Sequence, residues 1–176
     1  MFKIYNIKGN EIPIVDVTTE DEYGCLYSTL GLVCIELSTH QDITLERVLE
    51  KKSDLIISAY NDTNKQVVQR SDEEFEELVF KYFDKYEKIL GLEAKKLYIY
   101  PSSLKSLAWA YNDNEIELNH YMKYLEEEII ELTIYHELCH LYTLKHYGTF
   151  EHDEDFYNML YKEFPKEEVE RIMSNN

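Results

Sequence analysis

Cysteine is scarce in this 176-residue sequence. Its three cysteines, Cys25, Cys34 and Cys139, are odd in number and form no Cys-x-x-Cys pair. That excludes both a disulfide framework and a cysteine zinc ribbon. Positive charge is also in deficit: 18 Lys and Arg face 35 Asp and Glu, a net charge of −17. Nucleic-acid binders present a basic patch or stripe, so direct nucleic-acid binding is not expected. The acidic balance suits good solubility or a basic partner protein. Long apolar runs are missing too: none approaches the ~20 residues that a membrane span needs, and residues 1–6 lack the apolar core of a signal peptide. No membrane association is expected, and a reducing cytoplasm is the expected location. Internal repeats are absent, and the first 70 residues carry no chemical motif.

The chain is rich in groups that build a core. Hydrophobic residues make up 44%, with 16 tyrosines and seven phenylalanines to supply aromatic edges. The length suits one domain with an appendage. Residues 1–70 read as a β-rich module: strands over 2–5, 12–17 and 30–37, a turn at Gly9-Asn10, a helix over 44–52, and a hairpin of 54–60 with 65–69 around a loop at 61–64. His40 reads as a surface residue. Residues 71–176 form the second unit. Ser71-Asp72-Glu73-Glu74 is a capping box, and the apolar residues from Phe75 to Leu90 recur at helical spacing up to Gly91, predicting a helix over 72–90. A strand over 95–100 and a hairpin of 107–111 with 115–119 around the turn 112–114 follow. One helix over 121–147 ends at Gly148, and shorter helices are expected over 153–161 and 166–173. Residues 174–176 read as a disordered tail. The predicted class is α+β.

Chemistry concentrates in His136-Glu137-Leu138-Cys139-His140. On a helix the two histidines lie about 40° apart around the axis and about 6 Å apart along it, so both rings can reach one ion. Glu137, about 100° from His136, is better placed to take a proton from water than to be a ligand. Zinc lowers the pKa of a bound water towards ~7, and a carboxylate beside it then serves as general base in attack on a carbonyl. Four of the six histidines fall within residues 136–152, which favours a metal over a chance pair. Two histidines compete to be the third ligand. His146 sits ten residues after His136, a metzincin spacing, but Thr143 stands where that pattern has its turning glycine. On a continuous helix His146 points about 120° away from His140 and lies ~9 Å further along. His152 follows Gly148, which permits a turn back, and Phe156 can anchor it. The spacing favours His152.

The stretch from Ile116-Glu117-Leu118-Asn119, through Ile134-Tyr135 and the motif, to Tyr147-Gly148 and His152-Asp153-Glu154-Asp155-Phe156-Tyr157 resembles the SprT-like zinc metallopeptidases over residues 71–165. The resemblance implies a zincin-like, gluzincin-like fold of helix, small antiparallel sheet, active-site helix and closing helix. It also implies Zn2+ held by His136, His140 and His152, Glu137 as general base, and a protein or peptide substrate. The cysteine zinc ribbon or DNA-binding tail of many such proteins has no counterpart in this sequence, so their partnership with DNA is not expected here. Asp153 or Asp155 could orient a ligating imidazole or complement the helix dipole. Tyr147 or Tyr157 could donate to an oxyanion. The strand ending at Asn119 and His120 could align a substrate, with His120 structural or exposed. Cys139 should be a buried thiol, and Trp109 a core or cleft-wall aromatic. A second reading is an ImmA/IrrE-type regulatory zinc peptidase, with Glu151 or Glu154 as third ligand. A third is a non-catalytic acidic zinc-containing binding or decoy module, with His146 as fourth ligand.

Overall fold

The computed structural model describes residues 1–173 except 64, 65, 94, 95 and 113. The expected loop at 61–64, strand starts at 65 and 95, turn at 112–114 and tail at 174–176 therefore fall wholly or partly outside the described residues. The described chain divides into two compact units: Met1–Val67 together with Ser102–Leu104, and Val68–Pro101 with residues 105–173.

In the first unit, strands β1 (Phe2–Ile7), β2 (Asn10–Thr19), β3 (Cys25–Thr29) and β4 (Leu32–Ser38) form one sheet in the order β1-β2-β4-β3. β1 and β2 are antiparallel, as are β3 and β4, while β2 runs parallel to β4 with Ile14 beside Val33. The hairpin turns are Lys8-Gly9 and Leu30-Gly31, with all four residues at positive φ. Paired positive φ values give a two-residue turn whose twist matches that of the strands. Leu30 and Gly31 thus make a turn, although the apolar run suggested a strand through them.

Helices α1 (Leu45–Lys51) and α2 (Ser53–Asn61) follow. Thr44 caps α1 by accepting from the Arg47 amide. α2 corrects the expected hairpin of 54–60 with 65–69. Its Ile-Ile run suggested a strand, but Ile56, Ile57 and Tyr60 share one helical face and pack on Ile12, Ile14, Val33 and Ile35. Burial against the sheet overrides the β-branched propensity. Described residues 66–70 adopt no regular element.

The second unit opens with α3 (Asp72–Leu90), where Ser71 and Glu74 form the reciprocal capping box and Gly91 takes the left-handed conformation. Strands β5 (Lys96–Tyr100), β6 (Ala108–Tyr111) and β7 (Glu115–Asn119) pair in the order β5-β7-β6. β6 and β7 are antiparallel, but β5 is parallel to β7. The sheet is therefore mixed, and the strand ending at Asn119 is central. The edge is β6.

The expected single helix over 121–147 is broken. A 3₁₀ helix, His120–Tyr124, is capped by the Asn119 side chain, Leu125 is extended, and α4 spans Glu127–Tyr147. α3 lies along α4. Tyr82 and Lys81 meet Glu127, and Tyr86 and Lys85 meet Glu131 four residues on. Both partners advance in step, so the two helices run in the same direction. α5 (Glu154–Glu163) and α6 (Lys166–Met173) complete the unit. Among the described residues, no helix is long and apolar enough to cross a membrane.

Candidate metal centre

His136, Glu137 and His140 stand together because α4 is regular through them. The helix ends where Gly148, at φ 76°, lets its amide donate to both Thr143 and Leu144. A side chain at that φ would be strained. The chain then folds back, helped by the Thr149 hydroxyl accepting from the Glu151 amide. Asp153 caps α5 by accepting from Phe156 N at 3.0 Å. His152 is delivered between these two local stops.

The result is a three-imidazole cluster. Nε2 of His136 lies 3.2 Å from that of His140 and 3.0 Å from that of His152. One ring nitrogen of each histidine lies within 4.8 Å of the others. Nitrogens held ~2.0–2.1 Å from a tetrahedral centre stand about 3.3 Å apart. The donor set therefore fits zinc, and these three side chains as ligands would leave a fourth position. Phe156, fully buried, contacts all three rings at centroid distances of 4.9, 4.5 and 4.6 Å. It sets the floor on which the rings meet.

The electrostatics favour the form that binds a cation. Burial lowers His136 to about 3, assisted by repulsion from His140 and His152. Burial, then His152, lowers His140 to about 4, with the Phe150 backbone opposing. Both imidazoles are thus neutral near pH 7 with lone pairs available. Nδ1 of His140 is buried without a geometrically sound hydrogen bond. Glu137 is 7% exposed. Burial pushes its carboxyl up to about 8, and the hydrogen bond from the Ala110 backbone works against this. A dication beside it would work in the same direction as that bond.

A cleft of about 710 Å³ opens onto the cluster. Residues 105–110, which include most of edge strand β6, line it together with Leu132, Thr133, His136, Glu137 and His140 of α4. Trp109 is among these residues, 57% exposed. Tyr157 also lines the cleft, its ring 6.3 Å from that of His152. Tyr147 does not. It packs against Tyr142 and His146.

His146 is exposed, with its ring 4.2 Å from that of Tyr142, apart from the three-histidine cluster. Asp153 is engaged in capping, and Asp155 is exposed in the first turn of α5. Glu151 and Glu154 are exposed and outside the cluster. Cys139 is fully buried, and that burial pushes its thiol up to about 12. His120 bonds Asp72 at 2.8 Å, and His40 is an exposed residue bonded to the Glu20 carbonyl. The Ala110 amide, Phe150, Leu132, Leu160, Val169 and Met173 were not foreseen at the cleft. Helical periodicity marked several as apolar, but which cavity they face depends on long-range packing.

A family profile described as the SprT-like family matches residues 56–168. The match begins inside α2, earlier than residue 71, and ends inside α6. Two solved structures are similar to part of the chain. One is a metallopeptidase zymogen, abylysin, of Pyrococcus abyssi, with 28% identity over 53% of this chain and 87% of that one, at a TM-score of 0.47. The other is a metallopeptidase zymogen, jannalysin, of Methanocaldococcus jannaschii, with 24% identity over 53% and 88% and the same TM-score of 0.47. No curated protein matches the chain.

Proposed function

The chain belongs to the SprT-like family, and we propose on that premise that it is a zinc peptidase that hydrolyses peptide bonds of a protein substrate. The observation that carries the reading is the convergence of three Nε2 atoms, two of them on α4, beside the buried Glu137 of that helix. Together with the family, it indicates a metallopeptidase-like function.

His136, His140 and His152 would hold the zinc through Nε2. Zinc bound there supplies Lewis acidity towards water and the substrate carbonyl. Glu137 accepts the proton of the attacking water and delivers it to the departing amine nitrogen. The Ala110 amide steadies the Glu137 carboxylate, which keeps further acceptor capacity for water. The β6 edge offers backbone groups along which an extended peptide can lie. Tyr157 is the candidate donor to the developing oxyanion, and Tyr147, outside the cleft, is not. The scarcity of cysteine, three in number and with no Cys-x-x-Cys pair, suits a reducing, cytoplasmic setting. Residues 1–70 act in this proposal as a separate module, and the net charge of −17 makes a basic protein a suitable partner.

The decisive experiment is Glu137→Gln in zinc-loaded protein. We expect kcat on an unfolded protein substrate to fall about 10²–10⁴-fold, with zinc content near one per chain before and after. Undiminished activity, or a purified protein that takes up no zinc, overturns the reading.

A further inference from the structure

We propose that the cleft selects a large apolar side chain next to the scissile bond, and that Val169 and Met173 of α6 set this preference. The inference rests on the peptidase reading above.

Leu132 stands one helical turn before His136 on α4 and lines the cleft together with Leu160, Val169 and Met173. Leu132 and Leu160 are 3% and 2% exposed, so they form the pocket's base. Val169 and Met173 are half-buried and form its wall. Thr133 lies beside them, but its hydroxyl is occupied by the Ile129 carbonyl at 2.7 Å. Among the described residues, the charged groups lining the cleft are Lys105 and Glu137, apart from the histidines. Lys105 belongs to the segment leading into β6 and Glu137 to the reaction, so among the described residues Leu132, Leu160, Val169 and Met173 offer no partner to a charged side chain. Burial of an unpaired charge is heavily disfavoured and burial of an apolar group is favoured.

The placement fits a position beside the cut. One turn of helix is about 5.4 Å, and an extended peptide advances about 3.3 Å per residue with alternate side chains facing one way. The pocket therefore falls within about two residues of the bond presented to Glu137. Its wall is also fixed to α4, the helix that carries His136 and His140. Ile172 is fully buried, and Arg171 grips Glu128 with two bonds of 3.1 and 2.7 Å. Glu128 lies one turn before Leu132. The family match stops at residue 168, so both wall residues lie just beyond the shared stretch.

The test uses the zinc-loaded full chain and a mixed peptide library, with cut sites mapped by mass spectrometry. We expect Leu, Phe or Met enriched at one fixed position within about two residues of the cut. Val169→Phe, which fills the pocket, should lower kcat/KM on a peptide with Leu there by about 10–100-fold, with little loss on its Ala counterpart. Met173→Ala, the milder variant, should shift selection towards bulkier aromatics. Lys166→Ala, exposed on the same helix, should leave the preference unchanged. Zinc content and thermal midpoint report whether each variant is folded. Cleavage without positional preference overturns the inference, as does wild-type preference in folded Val169→Phe and Met173→Ala. Zinc-loaded protein that cuts no peptide, matching Glu137→Gln, is a different result: it sinks the peptidase reading, and this inference falls with it.

Discussion

His136 and His140 stand on a 21-residue helix with twelve buried residues, whereas His152 stands exposed on a short return held by Gly148 and the Asp153 cap. The first pair is positioned by helical repeat and by packing against α3. The third imidazole is positioned by two local devices, a left-handed glycine and a side-chain cap. A shared ion would thus join a rigid half-site to a half-site with much weaker support. The lesson is that ligand geometry in a small site can be inherited mostly from one element, with the remainder added by turn chemistry.

The largest expected contrast comes from deleting one ligand at a time. His136→Ala leaves His140 and His152, a pair that depends on the return loop. His152→Ala leaves the two helical ligands. Chelator competition should show zinc affinity reduced in both, and further in His136→Ala; the reverse order would mean that the loop is as well fixed as the helix. Gly148→Ala should cost about 1–2 kcal/mol, because a Cβ residue then occupies left-handed backbone. The added Cβ meets nothing within 4 Å, so the cost is conformational rather than steric. Denaturant unfolding gives the loss, and zinc affinity should fall with it. Asp153→Ala should cost about 1 kcal/mol by removing the cap, with a smaller drop in affinity.

The smallest effect lies on the helical side. Hydrogen bonds from Tyr82 and then Lys81 hold Glu127 below its ordinary value of 4.5. The folded state therefore favours the ionised carboxylate. Its stabilisation is fully present above the ordinary glutamate range and is lost as pH falls below it. Glu127→Gln should flatten the stability–pH curve in that acidic window, followed by circular dichroism, and leave the curve near neutrality unchanged in shape.

The contrast between helix and loop also describes how much could be read in the sequence. α3 was legible to its end residues because Ser71, Glu74 and Gly91 are local signals. The two helical histidines were legible for the same reason, and Gly148 with Phe156 pointed to His152. The pairing of β5 parallel to β7 was not legible, since it joins Tyr98 to Glu117 past the intervening strand β6. α2 was misjudged because Ile56-Ile57 suits either element until the sheet it covers is known. The break at Leu125 was missed because no proline or glycine marks it, and its apolar residue keeps helical spacing with Ile129. The cleft wall from α6 was hidden for a related reason. Val169 lies 37 residues after Leu132, and only the fold brings them to one cavity.

The paired contacts between α3 and α4 have a further consequence. Tyr82 and Tyr86 on one helix, and Glu127 and Glu131 on the other, repeat with the same period of four. Slipping α3 forward by one turn would bring Tyr82 to Glu131 and preserve one pair of the two. The polar rungs thus behave as a ratchet with equivalent teeth: they fix the direction of travel and leave the stopping point to something aperiodic. That stop is the aromatic knot of Tyr86, Tyr135 and Phe164, with ring centroids 4.6, 6.3 and 5.7 Å apart. Tyr135 immediately precedes His136, so the device that halts the ratchet also sets the height at which the first imidazole meets its two companions.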